Sequence, residues 1–226
     1  MISAQFPAHT LLWVEDVVFD EVGSEEASLD SNAERPDWCK IHDKTRPVVV
    51  RRAENPNLIP VGIRGQHRSE RAAAWVDPKQ IIRALTPDQL VQNQPWLEHY
   101  SKHPLKQIDA LESIESIFNY QKIRWGLGGS IGFELATSII TANENSDLDL
   151  IAYSPKPISN QVLAELWQNL IKLDVQMDVQ IETPNGAFAL REWLQCHVSL
   201  KEQGKSPQPV MMKTPLAPVL MLDPWG

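Results

Sequence analysis

Ile123-Arg124-Trp125-Gly126-Leu127-Gly128-Gly129-Ser130, read together with Ser146-Asp147-Leu148-Asp149-Leu150, decides how this chain folds. Ile123, Trp125 and Leu127 alternate with Arg124 and Gly126, the period-two pattern of a short strand that should turn at the glycines. Ser130 then starts a helix whose Ile131, Phe133 and Leu135 point toward a core. A turn lacking side chains that feeds a helix start presents free N–H groups and the positive dipole end to a phosphate, and Ser130 adds a hydroxyl. Asp147 and Asp149 open a second apolar run, Leu148 to Tyr153. Alternate residues of a strand share a face, so both carboxylates project to one side while Leu148 and Leu150 face the other. Such a pair can hold one or two Mg²⁺, the arrangement used for phosphoryl or nucleotidyl transfer.

Taken singly, an Asp-x-Asp reads as the solvated face of a strand and a glycine cluster as a turn. The order strand, Gly-Gly-Ser, helix, Asp-x-Asp on a second strand is what points to a site. Gly126, Gly128 and Gly132 also resemble a variant dinucleotide fingerprint, with Asp147 in the place of the ribose-binding acid. In that fold the acid ends its strand; here polar Asn143 to Ser146 precede the acids and apolar residues come after them, which argues against it. No Gly-x4-Gly-Lys-Ser/Thr stretch occurs, which argues against a P-loop.

Composition is that of a globular protein: 226 residues, 42% hydrophobic and 22% charged, enough for one large core or two modest ones. No run of about 18 apolar residues appears and no basic-then-apolar leader opens the chain, so no membrane span is expected and the cytoplasm is the expected compartment. Cys39 and Cys196 are too few and too distant in sequence to suggest a disulfide scaffold or a zinc site. His99 and His103 have the one-turn spacing of a metal pair, but Pro104 follows at once and no matching acid motif accompanies them, so no metal is assigned there. The net charge of -8 argues against nonspecific nucleic-acid binding. Its distribution is uneven: Glu15 to Glu34 is acidic and reads as a solvated loop. Arg46, Arg51, Arg52, Arg64, Arg68 and Arg71, with His42 and His67, lie between Lys44 and Arg83 or just before. A basic face in an acidic protein implies a discrete anionic ligand.

Pro47 to Val50 and Leu58 to Ile63 read as a hairpin turning at Asn55-Pro56-Asn57. Arg68 to Trp75 has the composition of a short helix, Lys79 to Ala84 reads as another opened by Asp77-Pro78, and Thr86-Pro87-Asp88 starts a third. Few periodic signals occur from Gln94 to His103, which places a domain boundary there: residues 1–98 form a basic N-terminal α+β domain and residues 99–226 a catalytic one. Leu105 to Tyr120 is a helix by its apolar spacing, and Ser159-Asn160 cap a second one. In Asp174 to Glu182 the alternation puts Val175, Met177, Val179 and Ile181 toward the core and Asp174, Asp178 and Glu182 on the other face. Asp178, central and flanked by apolar residues, is the expected third carboxylate, with Glu182 as the alternative. Val210 to Met212 and Val219 to Met221 are expected as closing strands. Trp13, Trp75 and Trp96 are candidates to stack on a base.

Gly129-Ser130, the helix, Asp147-x-Asp149 and the later strand with Asp178 resemble the polymerase-beta-type nucleotidyltransferase superfamily. Within it, Gly128 to Thr137, Ser146 to Leu150 and Gln180 to Phe188 are similar to the malonate decarboxylase holo-acyl-carrier-protein synthases, or phosphoribosyl-dephospho-CoA transferases. His9 to Trp13, Pro47 to Arg52 and Gly62 to Gly65, with Arg68 and Arg71, resemble that family too. Departures are Thr10 in place of an acid, Ser138 where the family usually has glycine, and a longer acidic stretch before Trp38; they leave the role of His9 open. The resemblance implies an α+β fold of two domains, the C-terminal one a nucleotidyltransferase-like mixed sheet flanked by helices. It implies transfer of the prosthetic group of a 2'-(5''-triphosphoribosyl)-3'-dephospho-CoA donor to a serine of the apo acyl carrier protein of malonate decarboxylase, with pyrophosphate leaving. Asp147, Asp149 and Asp178 would bind Mg²⁺, Asp178 would help deprotonate the serine, and Gly129 and Ser130 would cradle phosphate. Arg51, Arg52, Arg64, Arg68 and Arg71 would grip the anionic donor. A nucleotidyltransferase using a free nucleoside triphosphate and a non-catalytic nucleotide- or carrier-binding subunit remain the alternatives.

Overall fold

A computed structural model describes residues 6–19, 37–39, 43–65 and 70–226. Most of the acidic loop, together with His42, His67 and Arg68, lies outside the described residues. The chain forms two compact units, Met1–Thr86 and Pro87–Gly226.

In the first unit the valine-rich segments form strands, because β-branched side chains fit a pleated, half-buried surface. These are β1 (Leu11–Val14), β2 (Val48–Val50), β3 (Ile59–Arg64), β4 (Arg71–Val76) and β5 (Ile81–Leu85), an antiparallel sheet in the order β4-β3-β2-β1-β5. Leu12, Val14, Val50, Val61, Ala74 and Val76 are buried in one core. The β2–β3 hairpin is as the sequence predicts, and Asn55 shapes its turn by accepting from the N–H groups of Asn57 and Leu58, both at 2.9 Å.

Two expectations fail here. The segment read as a helix up to Trp75 is strand β4 from Arg71 onward, and Lys79 to Ala84 is a single 3-10 turn, Pro78–Gln80, leading into β5. Ala72, Ala73 and Ala74 favour a helix by only tenths of a kcal/mol each, roughly. Antiparallel pairing of all six residues of β4 with β3, and complete burial of alternate Ala74 and Val76, outweigh that preference. Among the described residues this unit holds no α-helix.

The second unit begins with α1 (Pro87–Gln92), α2 (Trp96–His99), α3 (Lys106–Asp109) and α4 (Leu111–Gln121). The boundary expected near residue 98 thus falls inside α2. Helix α1 belongs with the second unit: a Cβ on Gly126 would lie 2.6 Å from the Cβ of Pro87, so the backbone of the next strand sits directly against this helix. Then come β6 (Trp125–Leu127), α5 (Gly129–Thr137), β7 (Leu148–Tyr153), α6 (Asn160–Leu170), β8 (Met177–Thr183), β9 (Gly186–Ala189), α7 (Leu190–Trp193), β10 (Val210–Lys213) and β11 (Pro218–Met221). The six strands form one mixed sheet in the order β11-β10-β9-β8-β7-β6. Ser159 caps α6 as expected, its Oγ accepting from the N–H of Val162 at 3.3 Å. Trp96 is buried against Trp125, ring centroids 6.3 Å apart, and serves packing rather than a base.

Strand directions place the site. β6 and β7 are antiparallel, whereas β7 and β8 are parallel and joined by α6. The carboxyl end of β6 and the amino ends of β7 and β8 therefore share one edge of the sheet. The antiparallel β6–β7 pair also disposes of the dinucleotide reading, which requires a parallel crossover. At the far end of α5, Ser138 is the C-cap with φ +61°, a left-handed conformation that glycine adopts without strain.

Candidate active site

Gly128 follows β6 in extended conformation as the N-cap of α5, and its N–H donates to the carbonyl of Asp149 at 2.8 Å. Gly129 then reverses the chain at φ +65° and α5 starts. The turn is packed on the acid: a Cβ at Gly129 would lie 1.7 Å from Asp149 Oδ2, so any side chain here would occupy the carboxylate's place. Gly132 likewise lets α5 approach β6, since its Cβ would meet the Leu127 carbonyl at 2.8 Å. Ser130, half-buried, sits in the first turn of α5, and its carbonyl accepts from Thr141 Oγ1 at 3.0 Å. The N-terminal end of α5 therefore stands over Asp149, and its dipole favours negative charge there, on a carboxylate or on an arriving phosphate.

Asp149 and Asp178 are direct partners in the parallel β7–β8 ladder. Adjacent strands run about 4.8 Å apart, so the two side chains stand next to each other on one face. Asp147 lies two residues earlier, where Leu148 N–H still bonds to the Gln176 carbonyl at 2.9 Å and continues the strand geometry, so it shares that face. Leu148 and Leu150 are fully buried on the opposite one. All three acids are partly exposed. Carboxylates are the hard-oxygen donors that Mg²⁺ takes, few from the protein with the rest of its shell left to water and substrate phosphate.

Glu182, the alternative third acid, pairs with Tyr153 at the other end of the ladder. At about 3.3 Å per residue it stands more than 10 Å from Asp178 along the strand. Between them Gln180 is buried and its Nε2 approaches Asp178 Oδ2 at 3.4 Å. Asp178→Asn is accordingly expected to lose transfer activity by on the order of 10²-fold, whereas Glu182→Gln should keep it. Steady-state turnover of both variants checks this, and the opposite ranking would reject the register argument.

Two residues that sequence reasoning passed over hold this edge in place. Gln107 Nε2 donates to the carbonyls of Glu144 at 2.9 Å and Ser146 at 2.7 Å, fixing the loop that delivers Asp147. Glu134, buried in α5, accepts at Oε2 from the N–H groups of Thr141 and Ala142 at 2.9 Å, tying the same loop to the helix that begins at Gly129. An acid inside the apolar run Ile131 to Ala136 was the available signal.

In the first unit Arg64 and Arg71 are direct partners across the β3–β4 hairpin, Arg71 exposed and Arg64 half-exposed. Two cations facing each other repel, a cost of some tenths of a kcal/mol, roughly, that an anion would reverse. Arg51 Nε donates to the Val61 carbonyl at 3.2 Å and its guanidinium lies 5.1 Å from the Trp75 ring centroid. Arg52 and Arg64 also make interactions within the protein. His9 adopts φ +71° and its N–H donates to the Val50 carbonyl at 2.8 Å, while Thr10 is buried and bonds through Oγ1 to the Pro7 carbonyl at 2.6 Å. These two therefore anchor the start of β1.

Residues 7–87 match the phosphoribosyl-dephospho-CoA transferase MdcG N-terminal domain, and residues 89–224 match the C-terminal domain of the same enzyme family. The chain belongs to this family. Curated phosphoribosyl-dephospho-CoA transferases agree. That of Klebsiella pneumoniae strain 342 is 41% identical over 66% of this chain and 71% of its own length. The Pseudomonas syringae pv. tomato protein is 38% identical over 80% of this chain and 79% of its own, and the Pseudomonas aeruginosa one 33% identical over 90% of each. No solved structure matches. As a phosphoribosyl-dephospho-CoA transferase family member the chain is an enzyme, a transferase, with a two-domain α+β fold. Among its described residues no helix is long and apolar enough to cross a membrane.

Proposed function

We propose that this enzyme transfers the phosphoribosyl-dephospho-CoA group from its triphosphoribosyl precursor to a serine of the apo acyl carrier protein of malonate decarboxylase, releasing pyrophosphate. The observation that carries this reading is the register of Asp149 against Asp178 beside the Gly129 turn, a carboxylate pair under a helix N-terminus at one sheet edge. The serine Oγ attacks the phosphorus next to the ribose, a phosphodiester forms, the bond to pyrophosphate breaks, and the serine proton passes to Asp178. Asp147, Asp149 and Asp178 would hold Mg²⁺, which would supply charge to offset that developing on the leaving pyrophosphate. Gly129 admits the donor phosphate close to the backbone, and the α5 N–H groups and Ser130 Oγ orient it for in-line displacement.

Arg71, with Arg64 opposite it on the β3–β4 hairpin, gives the first unit a basic surface of the kind that attracts a phosphate-bearing donor. Because Arg71 is exposed, screening weakens its contribution: Arg71→Ala is expected to raise the donor dissociation constant about three- to tenfold at low salt and less at high salt. The reading as a whole is tested with purified enzyme, Mg²⁺, donor and apo carrier protein. Mass spectrometry should show the carrier gaining the prosthetic group on serine, with matching pyrophosphate release. Modification of the carrier by ATP alone would favour a conventional nucleotidyltransferase, and donor binding without any transfer would favour a binding subunit.

A further inference from the structure

Away from the three aspartates, a second set of chemically active side chains converges inside the unit. Glu134 Oε1 lies 2.8 Å from His99 Nε2 and 2.6 Å from His103 Nδ1. Glu134 is wholly buried, His99 nearly so, and the His103 side chain is 22% exposed. His103 N–H bonds to the His99 carbonyl at 3.1 Å, so one helical turn aligns the two imidazoles on the same carboxylate. Burial alone would raise the Glu134 pKa, but the hydrogen bonds from His103, the Ala142 and Thr141 N–H groups and His99 together hold it below the usual range. The carboxylate is therefore an anion in the interior, and its two side-chain partners are imidazoles rather than a lysine or arginine.

We propose that His99, His103 and Glu134 form a site for a zinc-like divalent transition-metal ion, separate from the aspartate edge. The donor set decides the class. Two imidazole nitrogens with one carboxylate oxygen suit zinc and its neighbours, whereas Mg²⁺ takes oxygen ligands. The three ligand atoms already lie within 4.8 Å of one another. Around a tetrahedral ion with bonds of about 2.1 Å they would stand roughly 3.4 Å apart, so the present N···O separations need open by less than about 1 Å. Each ligating nitrogen is made available by moving its proton to the other ring nitrogen, with no change in charge on the imidazole. The Oε2 hydrogen bonds from Thr141 and Ala142 stay intact, and they are the kind of outer contact that orients a ligating carboxylate. His103, whose side chain is 22% exposed, marks the side from which an ion and a water as fourth ligand would enter.

The ion would cross-link two segments, the turn holding His99 and His103 and helix α5 whose other end carries Gly129, and Glu134 extends the link to the following loop through its hydrogen bonds from Thr141 and Ala142. The ion's role is structural, holding the aspartate edge from behind.

The test uses full-length enzyme stripped with a chelator and then titrated with ZnCl₂ or CoCl₂. Stoichiometric zinc by elemental analysis, a higher melting temperature with zinc, and a tetrahedral-type visible spectrum with cobalt are expected. His103→Gln, chosen because this residue is partly exposed and the variant should fold, should weaken zinc binding by more than the roughly 10–100-fold typical of losing an outer contact. Glu134→Gln should abolish the cobalt spectrum. An Asp147→Asn/Asp149→Asn double variant should bind zinc as the parent does. Absence of stoichiometric zinc binding, unchanged binding in a folded His103→Gln, or loss of zinc in the aspartate double variant would each overturn the proposal.

Discussion

Asp149→Asn is expected to lower turnover by on the order of 10²-fold or more at saturating Mg²⁺ while leaving the protein folded. The substitution keeps the size and one oxygen of the side chain but removes its charge from the place where the β7–β8 ladder sets it beside Asp178. Two opposing effects on stability accompany it. Repulsion between neighbouring carboxylates is relieved, which is worth about 0.2–1 kcal/mol. Favourable interaction with the positive end of α5 is lost, worth about 0.3–1 kcal/mol. The two nearly cancel, so the melting temperature should move by less than about 3 °C in either direction. Thermal melts together with initial rates check both halves. Undiminished turnover would remove Asp149 from the chemistry, and a large fall in melting temperature would make it a structural residue.

Much of the second unit could be read from the chain because its local signals agree with its packing. The alternation through Trp125 and Leu127, the glycine turn, the helix from Ser130 and the apolar run after Asp147 each name an element that the structure contains. What sequence supplied for the site was parity, that Asp147 and Asp149 share a face. It could not supply register. The pairing of Asp178 rather than Glu182 with Asp149 depends on where β8 docks beside β7, a fact of tertiary structure. The alanines before Trp75 were misread for the same reason, since pairing with β3 decided their conformation against a weak local preference. Glu134 was illegible as a partner of His99 and His103 because the acid arrives from a helix distant in sequence. Its one trace is a charged residue in a run that otherwise faces the core.

Gly129→Ala is expected to cost activity nearly as much as losing Asp149 itself, by a different route. At φ +65° an alanine carries backbone strain of about 1–2 kcal/mol, enough to lower the melting temperature by roughly 2–8 °C without unfolding the enzyme. Its methyl group would also fall 1.7 Å from Asp149 Oδ2. The obstructing atom is the tip of a side chain, so the clash is relieved by swinging the carboxylate aside, not by breaking the β6–β7 pairing. The fold survives and the carboxylate leaves its position next to Asp178. Turnover should fall by on the order of 10²-fold, as for removal of a group that stabilises the transition state electrostatically. A double-mutant cycle separates this from simple strain. In an Asp149→Ala background the carboxylate is gone, so adding Gly129→Ala should leave the residual rate nearly unchanged and retain only the backbone cost in stability. If the two substitutions instead multiplied in their effect on rate, the glycine would act on the donor independently of Asp149, and the turn's contact with the carboxylate would have no part in catalysis.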